Sequence, residues 1–218
     1  MKKRNIDFNL YLITNRKQLS LAQNSKLKTQ NLLAAVRQAL IGGVKAVQLR
    51  EKDLGTRELL KLAYKMRELT RKYEAKLLIN DRFDIALVVK ADGVHLTQNS
   101  IPADAVRKVV KNKLMIGVST HSLKEAKEAE KAGADFITLG PIYKTPSKLK
   151  YGAPLGLSRL KNFCKEMNIP VFALGGVKAE KIHEIKKSGA YGAAMISEIL
   201  CADDIKEKTR ELINILGE

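Results

Sequence analysis

The chain has 218 residues, 45% of them hydrophobic, so it is long enough to form one domain around a sizeable core. No stretch approaches the roughly 20 consecutive apolar residues that are needed to cross a membrane. The first four residues are basic, but a mixed segment with Asp7 and Asn9 follows them in place of an apolar signal core. These features predict a soluble, cytoplasmic protein in which residues 1–218 form a single domain with no membrane partner.

The net charge of +17 is large enough to suggest a nucleic-acid partner. However, the basic residues are spread along helical patterns and mixed with glutamates, as in residues 124–128, which is typical of solvated helix faces. Aromatic residues make up only 5% of the chain, and none is interleaved with a basic run. The composition therefore argues against nucleic acid and favours a positive field that attracts small anionic substrates. Cys164 and Cys201 have neither a metal-ligand spacing nor a disulfide framework.

Short apolar segments alternate with longer amphipathic segments from one end of the chain to the other. The centres of the short segments are almost continuously apolar, as expected for parallel strands that are buried on both faces. Eight segments are predicted to be strands: Leu10–Thr14, Ala46–Arg50, Lys76–Asn80, Gly93–Thr97, Met115–Ser119, Phe136–Gly140, Val171–Gly175 and Gly192–Ser197.

The amphipathic segments predict helices between these strands, and glycines before several strands mark left-handed helix ends. Helical patterns cover Arg57–Tyr73, Leu123–Ala132, Ala179–Ser188 and, after the last strand, Asp203–Leu216. Asp203 or Asp204 is expected to be the N-cap of that last helix.

Eight strand–helix pairs in a chain of this length predict an α/β protein with the architecture of a single (β/α)8 TIM barrel. A doubly wound open sheet is the alternative, but such a sheet usually has fewer strands and a glycine-rich first turn, and none follows Thr14. The one long loop, between Gly140 and Gly156, is predicted to be a functional lid.

Polar residues gather at the predicted strand ends, where barrel enzymes build their active sites. After strand two, alternation places Gln48, Arg50 and Lys52 on one side, and such donors suit a polyanion. A surface rim with an Arg50–Glu51 pair is the alternative. After strand three, Asn80 and Asp81 could hold Mg²⁺, although Asp81 could also cap the next helix.

The ends of strands seven and eight, Gly175–Gly176 and Ile196–Ser197, lie where barrels often bind phosphate through backbone N–H groups. Ordinary tight turns are the alternative. Among the histidines, His95 is expected to be a satisfied core residue and His183 a solvated one, whereas His121 is a candidate for acid–base work.

Eight segments along nearly the whole chain resemble the thiamine phosphate synthase family and its close relatives, the thiazole tautomerases. Each segment is weakly specific alone, but their order and spacing are specific. They are Tyr11-Leu-Ile-Thr14, Gln48-Leu-Arg-Glu-Lys52, Ile79-Asn-Asp-Arg82, Ala91-Asp-Gly-Val-His-Leu96, Gly117-Val-Ser-Thr-His121, Gly140-Pro-Ile-Tyr143, Ala173-Leu-Gly-Gly176 and Met195-Ile-Ser197.

The resemblance implies a transferase that joins a hydroxymethylpyrimidine diphosphate to a thiazole phosphate and releases diphosphate. Asp81 would bind Mg²⁺, Lys148 would neutralise the departing charge, and Ser119 would lie near the reacting centre. The diphosphate would be held by Gln48, Arg50, Lys52 and Asn80. The thiazole phosphate would be held by Thr145, Ser147 and the backbone at Gly176, Ile196 and Ser197.

Three positions depart from the synthase pattern. Ser100 stands where a second metal-binding aspartate is usual, with Asp104 nearby; Ser147 replaces a threonine, and Glu198 replaces a small residue. Two alternatives therefore remain, a thiazole tautomerase that uses His121 and a non-catalytic binder of thiazole phosphate. The retained Arg50, Lys52 and Lys148 favour the synthase. The sequence does not set the oligomeric state, and a homo-oligomer is compatible with it.

Overall fold

The computed structural model describes residues 5–19, 25–145 and 153–217, with the backbone alone for residues 25–30. Its eight strands are all parallel and hydrogen-bond in chain order to form a closed barrel. The circle is completed where Tyr11 of the first strand pairs with Ala194 of the last. This closure excludes the open doubly wound sheet. The strands are β1 Leu10–Ile13, β2 Ala46–Leu49, β3 Lys76–Asn80, β4 Gly93–Leu96, β5 Met115–Thr120, β6 Phe136–Leu139, β7 Val171–Leu174 and β8 Gly192–Met195.

Helices surround the barrel. In the described part of the chain they are α1 Ser25–Ile41, α2 Thr56–Lys72, α3 Phe83–Val88, α4 Ala103–Val110, α5 Leu123–Lys131, α6 Gly156–Glu166, α7 Ile182–Lys187, α8 Ser197–Leu200 and α9 Ile205–Leu216. Short 3-10 turns at Arg16–Gln18 and Ala179–Lys181 precede α1 and α7. None of the helices in the described ranges is both long and apolar enough to cross a membrane.

Each strand divides its side chains between two cores, because successive residues point to opposite faces. In β1, Leu10 and Leu12 pack outward among the helices, whereas Tyr11 and Ile13 point into the barrel. The barrel interior is closed at its N-terminal end by Phe8 and a set of mutually tilted aromatic rings. The C-terminal end carries the polar side chains.

The predicted strands are confirmed, with ends that move by up to two residues. Three strands illustrate this: β3 has the predicted bounds, β5 runs one residue further, and β8 stops at Met195 because α8 begins at Ser197. Asp204 is the N-cap of α9, since its carboxylate accepts the N–H of Glu207 at 2.9 Å.

Candidate active site

The rim, defined here as the C-terminal ends of the strands and the loops that follow them, brings the predicted donors together. Neighbouring strands align Asn80 with His95 and Ser119 with Thr138. Because these side chains belong to the inward-facing set, they converge on the barrel axis from strands β3 to β6.

Arg50 is a partly buried cation at this rim. Among the described residues, its guanidinium forms neither a hydrogen bond nor an ion pair. The predicted alternative of an Arg50–Glu51 pair is wrong, because Glu51 binds the Thr14 hydroxyl at 2.8 Å and the Arg16 guanidinium at 3.2 Å. Burial lowers the pKa of Arg50 and the Glu51 charge opposes that effect. A desolvated guanidinium without a partner is a site for an anionic ligand.

Two amide side chains near Arg50, those of Gln48 and Asn80, each have one buried polar atom to consider. Within the described ranges, Nε2 of Gln48 and Oδ1 of Asn80 have no hydrogen-bond partner. Buried polar atoms are rarely left unpaired, so each such atom suggests a missing ligand or water. Lys52 follows them as an exposed side chain in the loop after β2. The cluster predicted from strand ends two and three is thus present, with Lys52 on its outer edge.

His95 lies in the barrel interior just below the rim, 2% exposed. Its Nε2 lies 3.0 Å from the Ser119 hydroxyl, and its Nδ1 lies 3.4 Å from the Tyr11 hydroxyl. Burial, with the charge of Arg50 as a second cause, lowers the pKa of His95 to about 3. The predicted satisfied core histidine is therefore confirmed, and its imidazole is neutral.

Asp81 is exposed and adopts a left-handed backbone with φ of 66°. It does not cap α3, whose N-cap is Arg82 with no side-chain cap hydrogen bond. In the described part of the chain its carboxylate accepts no hydrogen bond, so its oxygens remain available to a cation. No group of three or more acidic, histidine or cysteine side chains forms a metal site within those ranges.

The candidates for a second metal ligand are engaged elsewhere. The Ser100 hydroxyl accepts the N–H of Thr97 at 2.7 Å and thereby closes the turn after β4. Asp104 pairs with Lys108 at 3.6 Å on the surface of α4. Among the described residues, the rim thus offers a cation one carboxylate, Asp81, beside the Asn80 oxygen that has no partner there.

The glycine turn after β7 has left-handed φ angles of 89° at Gly175 and 68° at Gly176. A side-chain carbon on Gly176 would lie 2.8 Å from both the Lys144 carbonyl oxygen and the Tyr143 Cβ, so close backbone approach explains this glycine. Its N–H forms no hydrogen bond among the described residues and remains a donor at the rim.

The turn after β8 is similar. Ile196 precedes the four-residue helix α8, so the N–H of Ser197 lies in its first turn without an intrahelical acceptor. Glu198 does not oppose an anion here, because its carboxylate accepts the N–H of Ala179 at 3.2 Å.

The loop predicted to be a lid, residues 140–156, is anchored at both ends. The N–H of Tyr143 donates to the Gly175 carbonyl at 3.0 Å, and the N–H of Leu155 donates to the Pro141 carbonyl at 2.8 Å. Thr145 is partly buried beside this anchor. Ser147 and Lys148 lie outside the described residues.

His121 lies just beyond β5 and is exposed, as is His183 on α7. The ring Nδ1 of His121 contacts the Gly140 carbonyl oxygen, and its backbone N–H donates to Glu125 at 2.8 Å. The ring is thus oriented by the first residue of the lid loop, a geometry compatible with the predicted acid–base role.

Three residues near the site were not among the predicted site residues. Tyr11 and Thr138 contact His95 inside the barrel, and Arg16 holds Glu51 away from Arg50. A threonine at the centre of an otherwise apolar strand was a usable signal for Thr138. Nothing in the local sequence distinguishes Tyr11 from a packing residue or links Arg16 to Glu51.

The fold and the rim define the class of (β/α)8-barrel enzymes, whose active sites lie at the C-terminal ends of the strands, where this chain gathers its polar side chains. A family model described as thiamine monophosphate synthase matches residues 10–199. The thiamine-phosphate synthase of Clostridium novyi is 41% identical over 210 residues, 96% of this chain and 99% of that protein. The thiamine-phosphate synthase of Syntrophomonas wolfei is 42% identical over 211 residues, 97% of each chain.

A solved structure, thiamine phosphate pyrophosphorylase from Pyrococcus furiosus, superposes with a TM-score of 0.84 at 37% identity and covers 96% of this chain and 95% of that one. The chain therefore belongs to the thiamine monophosphate synthase family, as its eight motifs predicted. It is a transferase of thiamine biosynthesis.

Proposed function

We propose that this protein is a Mg²⁺-dependent thiamine-phosphate synthase that joins a hydroxymethylpyrimidine diphosphate to a thiazole phosphate. The observation that carries the proposal is that, in the described part of the chain, the Arg50 guanidinium and the neighbouring amide atoms of Gln48 and Asn80 have no partner. Together they supply a charge and polar contacts for a diphosphate, the leaving group of this reaction.

The chemistry breaks the carbon–oxygen bond to diphosphate, and the bonding electrons leave with the phosphate oxygen. The thiazole nitrogen then donates its lone pair to the pyrimidine methylene carbon, which forms the new carbon–nitrogen bond. No protein nucleophile is needed. Arg50 stabilises the charge that develops on the leaving group, and Lys148 of the lid loop would add a second cation.

Asp81 would hold Mg²⁺ at the same edge of the rim, with Asn80 beside it. When bound, the ion neutralises oxygens of the diphosphate. With one carboxylate available, the site would depend on substrate oxygens, so metal and diphosphate should bind together.

Further round the rim, the N–H groups of Gly176 and Ser197, which have no acceptor among the described residues, would bind the thiazole phosphate, with Ile196 beside them. Thr145 and Ser147 of the lid loop would contribute hydroxyl groups. One anion would then lie near β2 and β3 and the other near β7 and β8, and the two substrates would meet over the barrel axis.

The test is a coupling assay on purified, metal-depleted protein with both substrates across a Mg²⁺ titration. We expect thiamine phosphate to form only with Mg²⁺. Asp81→Asn should raise the Mg²⁺ needed for half-maximal rate by about 10–100-fold, whereas Asp104→Asn, which changes a surface carboxylate paired with Lys108, should match the unchanged protein. Absence of thiamine phosphate at every Mg²⁺ concentration would overturn the proposal.

The tautomerase alternative has one supporting observation, the orientation of His121 by the Gly140 carbonyl. It predicts isomerisation of a thiazole carboxylate phosphate that needs no metal and is strongly slowed by His121→Gln. The synthase proposal is favoured because Arg50 provides for a diphosphate, which the tautomerase reaction lacks.

A further inference from the structure

Four side chains from four strands form a hydrogen-bonded cluster inside the barrel. They are Tyr11 of β1, His95 of β4, Ser119 of β5 and Thr138 of β6. Tyr11, His95 and Thr138 are 0%, 2% and 1% exposed, whereas Ser119 is only partly buried. The cluster therefore opens towards the rim through the Ser119 hydroxyl.

The backbone makes room for the imidazole at the centre of this cluster. A side-chain carbon on Gly117 would lie 2.6 Å from Nδ1 of His95, closer than real contacts allow. Gly117 is thus required by the rings of both Phe136 and His95, which occupy the space that a side chain on β5 would fill. A fixed ring is a precondition for a fixed hydrogen-bond direction.

The direction of the Tyr11–His95 contact follows from the phenol. Burial raises the pKa of Tyr11 well above its usual value, so it keeps its proton. The Gln48 amide approaches the phenol oxygen closely enough to lower that pKa in part, although outside hydrogen-bond geometry. In the described part of the chain, the acceptor within reach of the buried phenol proton is Nδ1 of His95, at 3.4 Å.

A neutral imidazole carries one proton, so a Nδ1 that accepts from Tyr11 leaves the proton on Nε2. Nε2 lies 3.0 Å from the Ser119 oxygen and 3.4 Å from the Thr138 oxygen, so Ser119 is the nearer acceptor. The Thr138 hydroxyl also donates to Ser119, at 3.4 Å. With two donors directed at its oxygen, Ser119 must direct its own proton elsewhere.

We propose that His95 is a positioning residue: oriented by Tyr11, its Nε2–H donates to Ser119 and so presents the Ser119 proton to an acceptor atom of the bound substrate. The proposal rests on the proposed function for the identity of that substrate. The hydrogen-bond direction itself belongs to the free protein and is independent of the reaction.

The first experiment is nitrogen NMR of the protein labelled with ¹⁵N-histidine and without ligand. The chain has 3 histidines, so His121→Gln and His183→Gln assign the His95 signals by elimination. We expect His95 as the neutral Nε2–H tautomer. A Nδ1–H tautomer would overturn the proposal, and this result requires no change inside the barrel.

The second experiment compares four variants in the coupling assay: Tyr11→Phe, Tyr191→Phe, Ser119→Ala and the double variant of Tyr11→Phe with Ser119→Ala. Tyr11→Phe removes the hydroxyl that sets the tautomer, and we expect mixed tautomers and a turnover lowered about tenfold, equivalent to about 1.4 kcal/mol, with little change in KM. The matched control is Tyr191→Phe, since the Tyr191 hydroxyl contacts the Ile6 carbonyl at the far end of the barrel. It should change neither the tautomer nor the turnover.

Ser119→Ala separates positioning from a purely structural role. If Tyr11 acts through Ser119, the variant that combines Tyr11→Phe with Ser119→Ala should turn over no more slowly than Ser119→Ala alone. Once the Ser119 hydroxyl is gone, loss of the Tyr11 hydroxyl has nothing further to change. Additive losses would overturn the proposal even with correctly folded protein. Absence of coupling activity in the unchanged protein would instead overturn the proposed function and leave the NMR result to decide the hydrogen-bond direction.

Discussion

Arginines in this protein differ in how completely they are paired. Arg16 binds Glu51 and Asp53, and Arg107 binds Asp135 and backbone carbonyls, so these buried guanidinium groups are satisfied by the protein. Arg50 is partly buried and, among the described residues, has no such partner. Because burying an unpaired charge costs free energy, the arrangement is stable only to the extent that water or a ligand completes it.

Arg50→Gln should therefore lower activity without loss of stability. We expect kcat/KM for coupling to fall by about 10²–10³-fold, as for removal of a donor that stabilises developing negative charge. Unfolding by urea should be unchanged or slightly harder. Arg210→Gln, which changes an exposed arginine paired with Glu207, is the control and should leave kcat/KM intact. Equal activity of the two variants would contradict the assignment of Arg50.

His95 should make the folded state sensitive to acid. Folding lowers its pKa from 6.5 to about 3, so the unfolded chain takes up a proton near pH 6.5 that the folded protein does not bind. Stability is therefore highest above pH 6.5 and falls as the pH decreases towards 3, by up to about 1.4 kcal/mol per pH unit.

The measurement is urea unfolding at several pH values between 7 and 5, above the range in which most carboxylates titrate. His95→Gln should flatten the dependence, while His183→Gln, on the exposed side of α7, should leave it unchanged. If the free energy of unfolding depended on pH as steeply in His95→Gln as in the unchanged protein, groups other than His95 would be the cause of that dependence.

At the scale of elements, the loops after β6 and β7 form one unit. Tyr143 donates to the Gly175 carbonyl through its backbone and to Glu184 of α7 through its hydroxyl, at 3.0 Å in each case. Lys181 lies 5.8 Å from the Tyr143 ring centre, a cation–π distance. The lid loop is thus fixed at its base to the same turn that would bind the thiazole phosphate.

Gly176→Ala tests this coupling between loop and turn. Its added carbon would meet the Lys144 carbonyl oxygen and the Tyr143 Cβ at 2.8 Å, so the loop must move. We expect a destabilisation of about 1–3 kcal/mol and a KM for the thiazole phosphate raised by more than the KM for the diphosphate. Both constants would be measured in the coupling assay.

Gly156→Ala is a matched control for backbone strain. Gly156 also has a left-handed φ, 74°, but an added carbon would meet nothing within 4 Å. It should cost only the conformational penalty of about 1 kcal/mol and leave both KM values unchanged. If Gly176→Ala and Gly156→Ala raised the KM for the thiazole phosphate equally, contact with the lid loop would not be the cause of the change.

At the scale of the whole molecule, the N-terminal end of the barrel is held by two equivalent bridges. Asp92 lies just before β4 and accepts a backbone N–H of β3 and the Arg67 guanidinium. Asp135 lies just before β6 and accepts a backbone N–H of β5 and the Arg107 guanidinium. Each bridge joins a helix to two adjacent strands at the end remote from the rim, where barrels typically carry stability.

Arg107→Leu should therefore lower stability while sparing catalysis. It removes the guanidinium that neutralises Asp135 and donates to the Gly133 carbonyl, and breaking such a buried pair costs about 3–5 kcal/mol. Thermal unfolding should detect this loss, with kcat near that of the unchanged protein below the transition. Lys208→Leu, which breaks an exposed pair with Glu211, should cost at most about 1 kcal/mol. A large fall in kcat for the folded Arg107 variant would contradict the separation of the two barrel ends.

The sequence by itself determined the order and nature of the elements, because apolar runs of strand length and amphipathic runs of helix length have different periods. It also determined that Arg50, Asn80 and Asp81 follow strands, and parallel strands in a barrel bring such positions to one rim. What only the tertiary structure decided is which polar groups pair. Glu51 follows Arg50 in sequence yet binds Arg16, and Tyr11 meets His95 across 84 residues. Alternation sets the face on which a side chain lies, but the register and closure of the barrel choose its neighbours, and those neighbours determine which charges and hydroxyl groups remain for a ligand.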